Sequence, residues 1–209
     1  MSRTSNADAN WFSISANTFQ YFAGTDHPEP ADGPPSPLSF TPENPQEWDS
    51  CLKISNGTHD LWWGQREPVL IAQGRENALD INSMSHSITI AAVFGWGAAP
   101  GCRGDNVITI KGGSNDIRLS GYIRSTGNEA DVTLDAWSDQ SSELVSGVNL
   151  SGLVREDGRP ITIILGRFGS KVDSYPARYK VLFWKSLGYK CYWPAKWVAV
   201  KLGLMGGKK

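Results

Sequence analysis

Four carboxylates stand at one offset along this chain: Asp49, Glu76, Asp105 and Glu129 each lie five residues ahead of an apolar residue, respectively Ile54, Ile81, Ile110 and Leu134. If equivalent positions stack on neighbouring strands, about 5 Å apart, the carboxylates repel, and the column either takes up cations or stays solvated at a loop edge. A solvated turn just ahead of a strand is the ordinary account. His59 and His86 share a second offset, where neutral imidazoles can hold a metal. The next two copies place Asn115 and Asp139 there, and no third strong ligand follows, so the expectation is stacked turn residues and no metal. A third group, Asp135, Trp137 and Asp139, is the best surface candidate for a glycan. The chain has no Gly-rich phosphate loop, nucleophile elbow or HExxH, so no catalytic residue is assigned and no cofactor is implied.

These offsets have meaning because a pattern recurs. Leu52-Lys53-Ile54-Ser55-Asn56-Gly57-Thr58-His59-Asp60-Leu61, Leu79-Asp80-Ile81-Asn82-Ser83-Met84-Ser85-His86-Ser87-Ile88 and Ile108-Thr109-Ile110-Lys111-Gly112-Gly113-Ser114-Asn115-Asp116-Ile117 share one grammar, and Val132 to Gln140 is a weaker fourth copy. The anchors fall 27, 29 and 24 residues apart, the range in which repeats mean solenoids. Alternation of period two reads as a half-buried strand, and the Gly-rich corner ending in Ser or Thr reads as a turn.

The predicted fold is all-β: a short right-handed parallel β-helix of four to five rungs. Leu52, Leu79, Ile108 and Val132 form one inward column, Ile54, Ile81, Ile110 and Leu134 a second, and Ile161-Thr162-Ile163 supplies a fifth rung. The hairpins of an antiparallel sandwich are the alternative, since their turns recur at similar intervals. Thr58, Ser85, Ser114 and Ser138 at one shared offset favour the coil, because like side chains gain from stacking in register.

Three segments follow. Residues 1–48 form an N-terminal cap and Pro-rich arm: positions 28 to 45 hold seven of the twelve prolines, and Trp11, Phe12, Phe19, Tyr21 and Phe22 give the start something to bury, as a strand or cap on the first rung. Residues 49–174 are the β-helix. Residues 175–209 are a basic aromatic tail, partly helical, with no acidic residue beyond Asp173. Its candidate contact residues are Tyr189, Tyr192, Trp193, Lys196, Trp197 and Lys201. Such an end suits a lipid surface, nucleic acid or a partner protein; the plain alternative is that it caps the last rung.

The 209 residues suit one domain with arms, and a net charge of −1 selects no class of partner. Cys51, Cys102 and Cys191 are an odd number at wide spacing, which reads as thiols from a reducing compartment. No apolar h-region follows Met1, so no secretory signal is expected, and no run is long enough for a membrane helix. The sequons at Asn56 and Asn149 then read as chance, and Arg103-Gly104-Asp105 as a turn.

Residues 49–170 resemble the right-handed parallel β-helix segments, of the pectate-lyase-like superfold, found in bacteriophage tail spikes, fibres and capsid-associated proteins. The four repeats carry the resemblance, with Glu76 to Ile81 and Asp105 to Ile110 at the rung starts. It implies a non-catalytic virion component, made in the host cytoplasm, whose two ends contact other virion proteins or further copies of the chain. Related β-helix proteins act on polysaccharides through carboxylates on one face of the coil, which makes a glycan-binding or glycan-cleaving protein the alternative. Four or five rungs are short for gripping a polymer.

Overall fold

The computed structural model describes residues 10–15, 21–22, 38–64, 67–97, 104–127, 129–134, 144–166 and 170–183. Its fifteen strands are β1 (Asn10–Ser15), β2 (Tyr21–Phe22), β3 (Ser39–Phe40), β4 (Ser50–Ser55), β5 (His59–Trp63), β6 (Val69–Ala72), β7 (Asn77–Ile81), β8 (His86–Trp96), β9 (Asn106–Ile110), β10 (Asn115–Ile123), β11 (Ala130–Leu134), β12 (Ser146–Arg155), β13 (Ile161–Leu165), β14 (Val172–Ser174) and β15 (Tyr179–Phe183). One 3-10 turn, Pro45–Glu47, is the only helical element among the described residues.

Two sheets result. The first has seven strands in the order β1-β4-β7-β9-β11-β13-β15; the second has eight, with the path β14-β12-β10-β8-β5-β2 and with β6 joining β8 to β3. Every paired strand among the described residues runs parallel to its neighbour, which removes the antiparallel sandwich. From β7 onward the chain passes strand by strand from one sheet to the other.

The register of the first sheet joins like with like. Phe12, Leu52, Leu79, Ile108, Val132, Ile163 and Val181 follow one another across it, as do Ile14, Ile54, Ile81, Ile110, Leu134, Leu165 and Phe183. Leu52, Ile54, Leu79, Ile81, Ile108, Ile110, Val132 and Leu134 have no exposed surface, and they belong to one apolar cluster shared by both sheets. Each such side chain contributes roughly 1.5–3 kcal/mol by burial, and the β-branched ones suit the pleat.

Three expectations change. First, seven strands line up where the repeats alone count four or five, because β1 and β15 extend the sheet without carrying the turn pattern. Second, β13 joins two residues further on than Ile161-Thr162-Ile163 suggests, with Ile163 beside Val132 and Leu165 beside Leu134. Third, β7, β9 and β11 are buried at every position, where alternation suggests half-burial.

The second face of those strands is therefore closed to solvent, and beside Ala78 and Val107 it carries polar groups, several of which bond from strand to strand. Thr109 Oγ1 donates to Asn77 Oδ1 at 2.6 Å, Thr133 Oγ1 to Asn106 Oδ1 at 2.7 Å, and Asn77 Nδ2 to Ser50 Oγ at 3.3 Å. A buried polar group without such a partner costs on the order of 1–3 kcal/mol. Close backbone approach demands glycine at several places, Gly64 and Gly121 among them. A Cβ on Gly64, at φ 80°, would stand 2.0 Å from the Ala91 carbonyl oxygen, and one on Gly121, at φ 106°, 2.1 Å from that of Ala92.

Candidate functional site

The corners between the sheets are built from the repeated turn residues. Asn56 and Gly57, Ser83 and Met84, and Gly112 and Gly113 all take positive φ, a pair of left-handed residues that reverses the chain. The next residue closes the corner: Thr58 Oγ1 donates to the Ser55 carbonyl at 2.6 Å, Ser85 Oγ to that of Asn82 at 2.8 Å, and Ser114 Oγ to that of Lys111 at 2.9 Å. The hydroxyl column is thus a set of local turn caps.

The fourth corner departs from the expected offset. Val145 stands at the level of Ser114, and Ser146 pairs with Asn115. The corner residue comes eleven positions after Leu134, where the other three come four after their anchors. The levels that the offset assigns to Ser138 and Asp139 are therefore held by Val145 and Ser146. Ser138 itself, with Asp135, Trp137 and Asp139, lies outside the described residues, as do Cys102, Cys191 and the tail residues Tyr189, Tyr192, Trp193, Lys196, Trp197 and Lys201.

His59 and His86 pair in register, and their rings stack at 5.1 Å with only 4° between planes. His59 Nδ1 meets Asp60 Oδ2 at 2.8 Å, and His86 Nδ1 lies 3.4 Å from Ser87 Oγ. Each Nδ1 thus faces the next residue of its own strand. No group of three or more His, Cys, Asp or Glu side chains among the described residues has a metal-binding arrangement.

The carboxylate offset does stack. Backbone N–H groups link each level to the one before: Glu76 N to Asp49 O, Asn106 N to Glu76 O, and Glu129 N to Asp105 O, at 2.9, 2.9 and 3.1 Å. Burial raises the pKa of Glu76, and the neighbouring charges of Asp49 and Asp105 raise it further. Asp49 is buried against the Arg75 guanidinium. The same offset continues to Pro160 and then Arg178, which precede the paired Ile161 and Tyr179.

Asp80, on the polar face of the first sheet, is also buried; its Oδ2 meets Lys111 Nζ at 3.4 Å and accepts from Asn82 Nδ2 at 3.2 Å, while Oδ1 has no hydrogen-bond partner. Burial pushes its pKa up against the pull of Lys111 and Lys53.

A cleft of about 290 Å³ lies beside the last three strands of the first sheet, lined among others by Glu129, Asp131, Arg155, Arg159, Thr162 and Lys180. At its back Asp131 and Arg155 form an ion pair in which both side chains are at least 96% buried. Asp131 Oδ2 also accepts the Thr162 N–H at 2.8 Å. Arg155 distributes its remaining donors to Asp157 Oδ1 at 3.0 Å, Asp157 Oδ2 at 2.6 Å and Thr126 Oγ1 at 3.0 Å.

Burial raises the pKa of Asp131 more than Thr162 and Arg155 lower it, whereas hydrogen bonds from Arg155 and then Arg159 hold Asp157 far below the usual range. Arg159 is committed to Asp157 as well, at 2.7 Å. Glu129 and Lys180 stay available in the cleft. Sequence reading found only Glu129 here. The signals for the rest were a carboxylate within the apolar strand Ala130-Asp131-Val132 and the charged turn Arg155-Glu156-Asp157-Gly158-Arg159.

Comparison of the chain with protein-family models, with curated proteins and with solved structures returned no match.

Proposed function

We propose that the chain is a short right-handed parallel β-helix serving as a non-catalytic structural or assembly component of a bacteriophage particle, the coil as scaffold and its ends as contacts. Parallel register throughout, strands that alternate between two sheets, and corner caps repeated on three levels support the coil. The virion assignment rests on the resemblance carried by residues 49–170.

The observation that carries the assembly role is where apolar surface is left open. Trp11 and Phe12 on β1 and Tyr179 and Leu182 on β15, the outermost strands of the seven-stranded sheet, are 38–45% exposed. Large side chains at both ends of a stack are contact residues in waiting. The buried carboxylates, by contrast, face internal cations: Asp49 meets Arg75, Asp80 Lys111 and Asp131 Arg155. Trp193 and Trp197 of the C-terminal segment form a further contact in this reading.

A second reading has one observation in its favour. The cleft presents Glu129 and Lys180 beside the buried Asp131–Arg155 pair, polar groups of both signs that suit a saccharide. The deciding experiment assays particles from the phage for the chain by mass spectrometry. In parallel the purified protein is incubated with bacterial polysaccharides and scored for new reducing ends or unsaturated products. Constant copy number per particle with no turnover is expected; turnover without incorporation overturns the structural role.

A further inference from the structure

We infer that the partner of the two open ends is a second copy of this chain, docked head to tail so that β15 of one molecule continues into β1 of the next. The inference rests on the assembly role proposed above and names its partner.

The register supplies the first argument. The two apolar columns cross all seven strands without a break, beginning at Phe12 and Ile14 and ending at Val181 and Phe183. A parallel edge strand presents unpaired N–H and C=O groups to a strand of the same direction. A copy stacked on the end meets that edge in the same direction, with like columns facing like. Trp11 and Phe12 at one end and Tyr179 and Leu182 at the other become buried in the joint.

Charge supplies the second argument and sets the orientation. Residues 38–49, at the first end, include Glu43 and Glu47 and no Lys or Arg, with Asp49 taken up by Arg75; residues 170–183, at the last, include Arg178 and Lys180, with Lys171 and Asp173 paired to each other. Glu43, Glu47, Arg178 and Lys180 are exposed. Acidic and basic ends attract head to tail, and repel head to head or tail to tail. Such a contact is heterologous and does not close on itself, so copies add in line.

Sedimentation velocity of the full chain tests this across protein and salt concentration. Association that grows with concentration, without a fixed end point, and weakens with salt is expected. A chain with Arg178→Glu and Lys180→Glu has two acidic ends, and one with Glu43→Lys and Glu47→Lys has two basic ends. Each alone should associate at least about tenfold more weakly, and mixing the two should restore association. Restoration also shows that both variants fold. A chain that stays monomeric at every concentration overturns the inference, as does a closed dimer indifferent to the reversals. Either result leaves the virion role intact if the chain is still found in particles, because the ends then serve other virion proteins.

Discussion

The two sheets are made by the same chain from the same repeats, yet they obey different rules. In the first, β7, β9 and β11 are buried on both faces, and the strand pairs run without a register shift. In the second, β8, β10 and β12 are buried mainly at alternate positions, and the register slips between Arg118 and Ser120, between Val148 and Asn149, and between Ile71 and Ala72. A one-residue slip exchanges the faces of a strand. Where both faces are closed the exchange misplaces every side chain; where one faces water, a local bulge is tolerated. The outer face of the second sheet can therefore carry Tyr122 and Val154, both about half exposed, beside Trp96, whose ring lies 4.7 Å from the Arg124 guanidinium.

That contrast can be broken by substitution, most severely in the first sheet. Ile81→Asp or Ile110→Asp places a charge in its closed columns and should cost more than about 4 kcal/mol, enough to unfold the chain by circular dichroism. Tyr122→Asp on the second sheet's outer face should stay within about 0.5 kcal/mol. Equal losses would show that the sheets are not differently buried.

Asp131→Ala comes next, since it leaves Arg155 buried without its closest anion; about 3 kcal/mol should be lost in urea unfolding. Glu156→Ala removes the exposed partner that Arg124 contacts at 2.7 Å, and no loss is expected. Ser85→Ala takes away a corner cap and should cost about 1 kcal/mol, whereas Ser151→Ala, on an exposed position of β12, should be neutral.

The smallest effect has the opposite sign. The pKa of Asp80 is raised above 3.8 in the folded chain, so the folded state binds its proton more tightly than the unfolded state. Stability from this group is full below pH 3.8 and declines as pH rises through the folded value. Asp80→Asn should therefore raise the unfolding midpoint at neutral pH and flatten that decline. Asp157 behaves oppositely: its pKa is lowered, so its contribution is present above 3.8 and is lost as the solution is acidified. An unchanged pH slope in the Asp80 variant would show that Lys111 compensates its burial fully.

Much of the register was legible before any coordinates. Identical offsets for Ile54, Ile81 and Ile110 place these residues on neighbouring strands, and those for Thr58, Ser85 and Ser114 in neighbouring corners, because like corners of like length bring the chain back to like positions. Legibility ended where the length changed. Ser138 and Asp139 fit the pattern by type, but the longer fourth corner hands their levels to Val145 and Ser146. The cleft was hidden for a related reason: Glu129, Arg155, Thr162 and Lys180 come from separate passes of the chain, and no local spacing ties them together.

The sequence by itself determined the period, the alternation and the corner chemistry, since these depend on neighbours within about ten residues and on the two-residue pleat. Only the tertiary structure decided that β1 and β15 complete the first sheet, that this sheet's second face is closed to water, and that Asp131 meets Arg155. Each depends on what lies across the fold from a residue, and pairing between strands distant in sequence is set by packing and charge in three dimensions, not by the order of the chain.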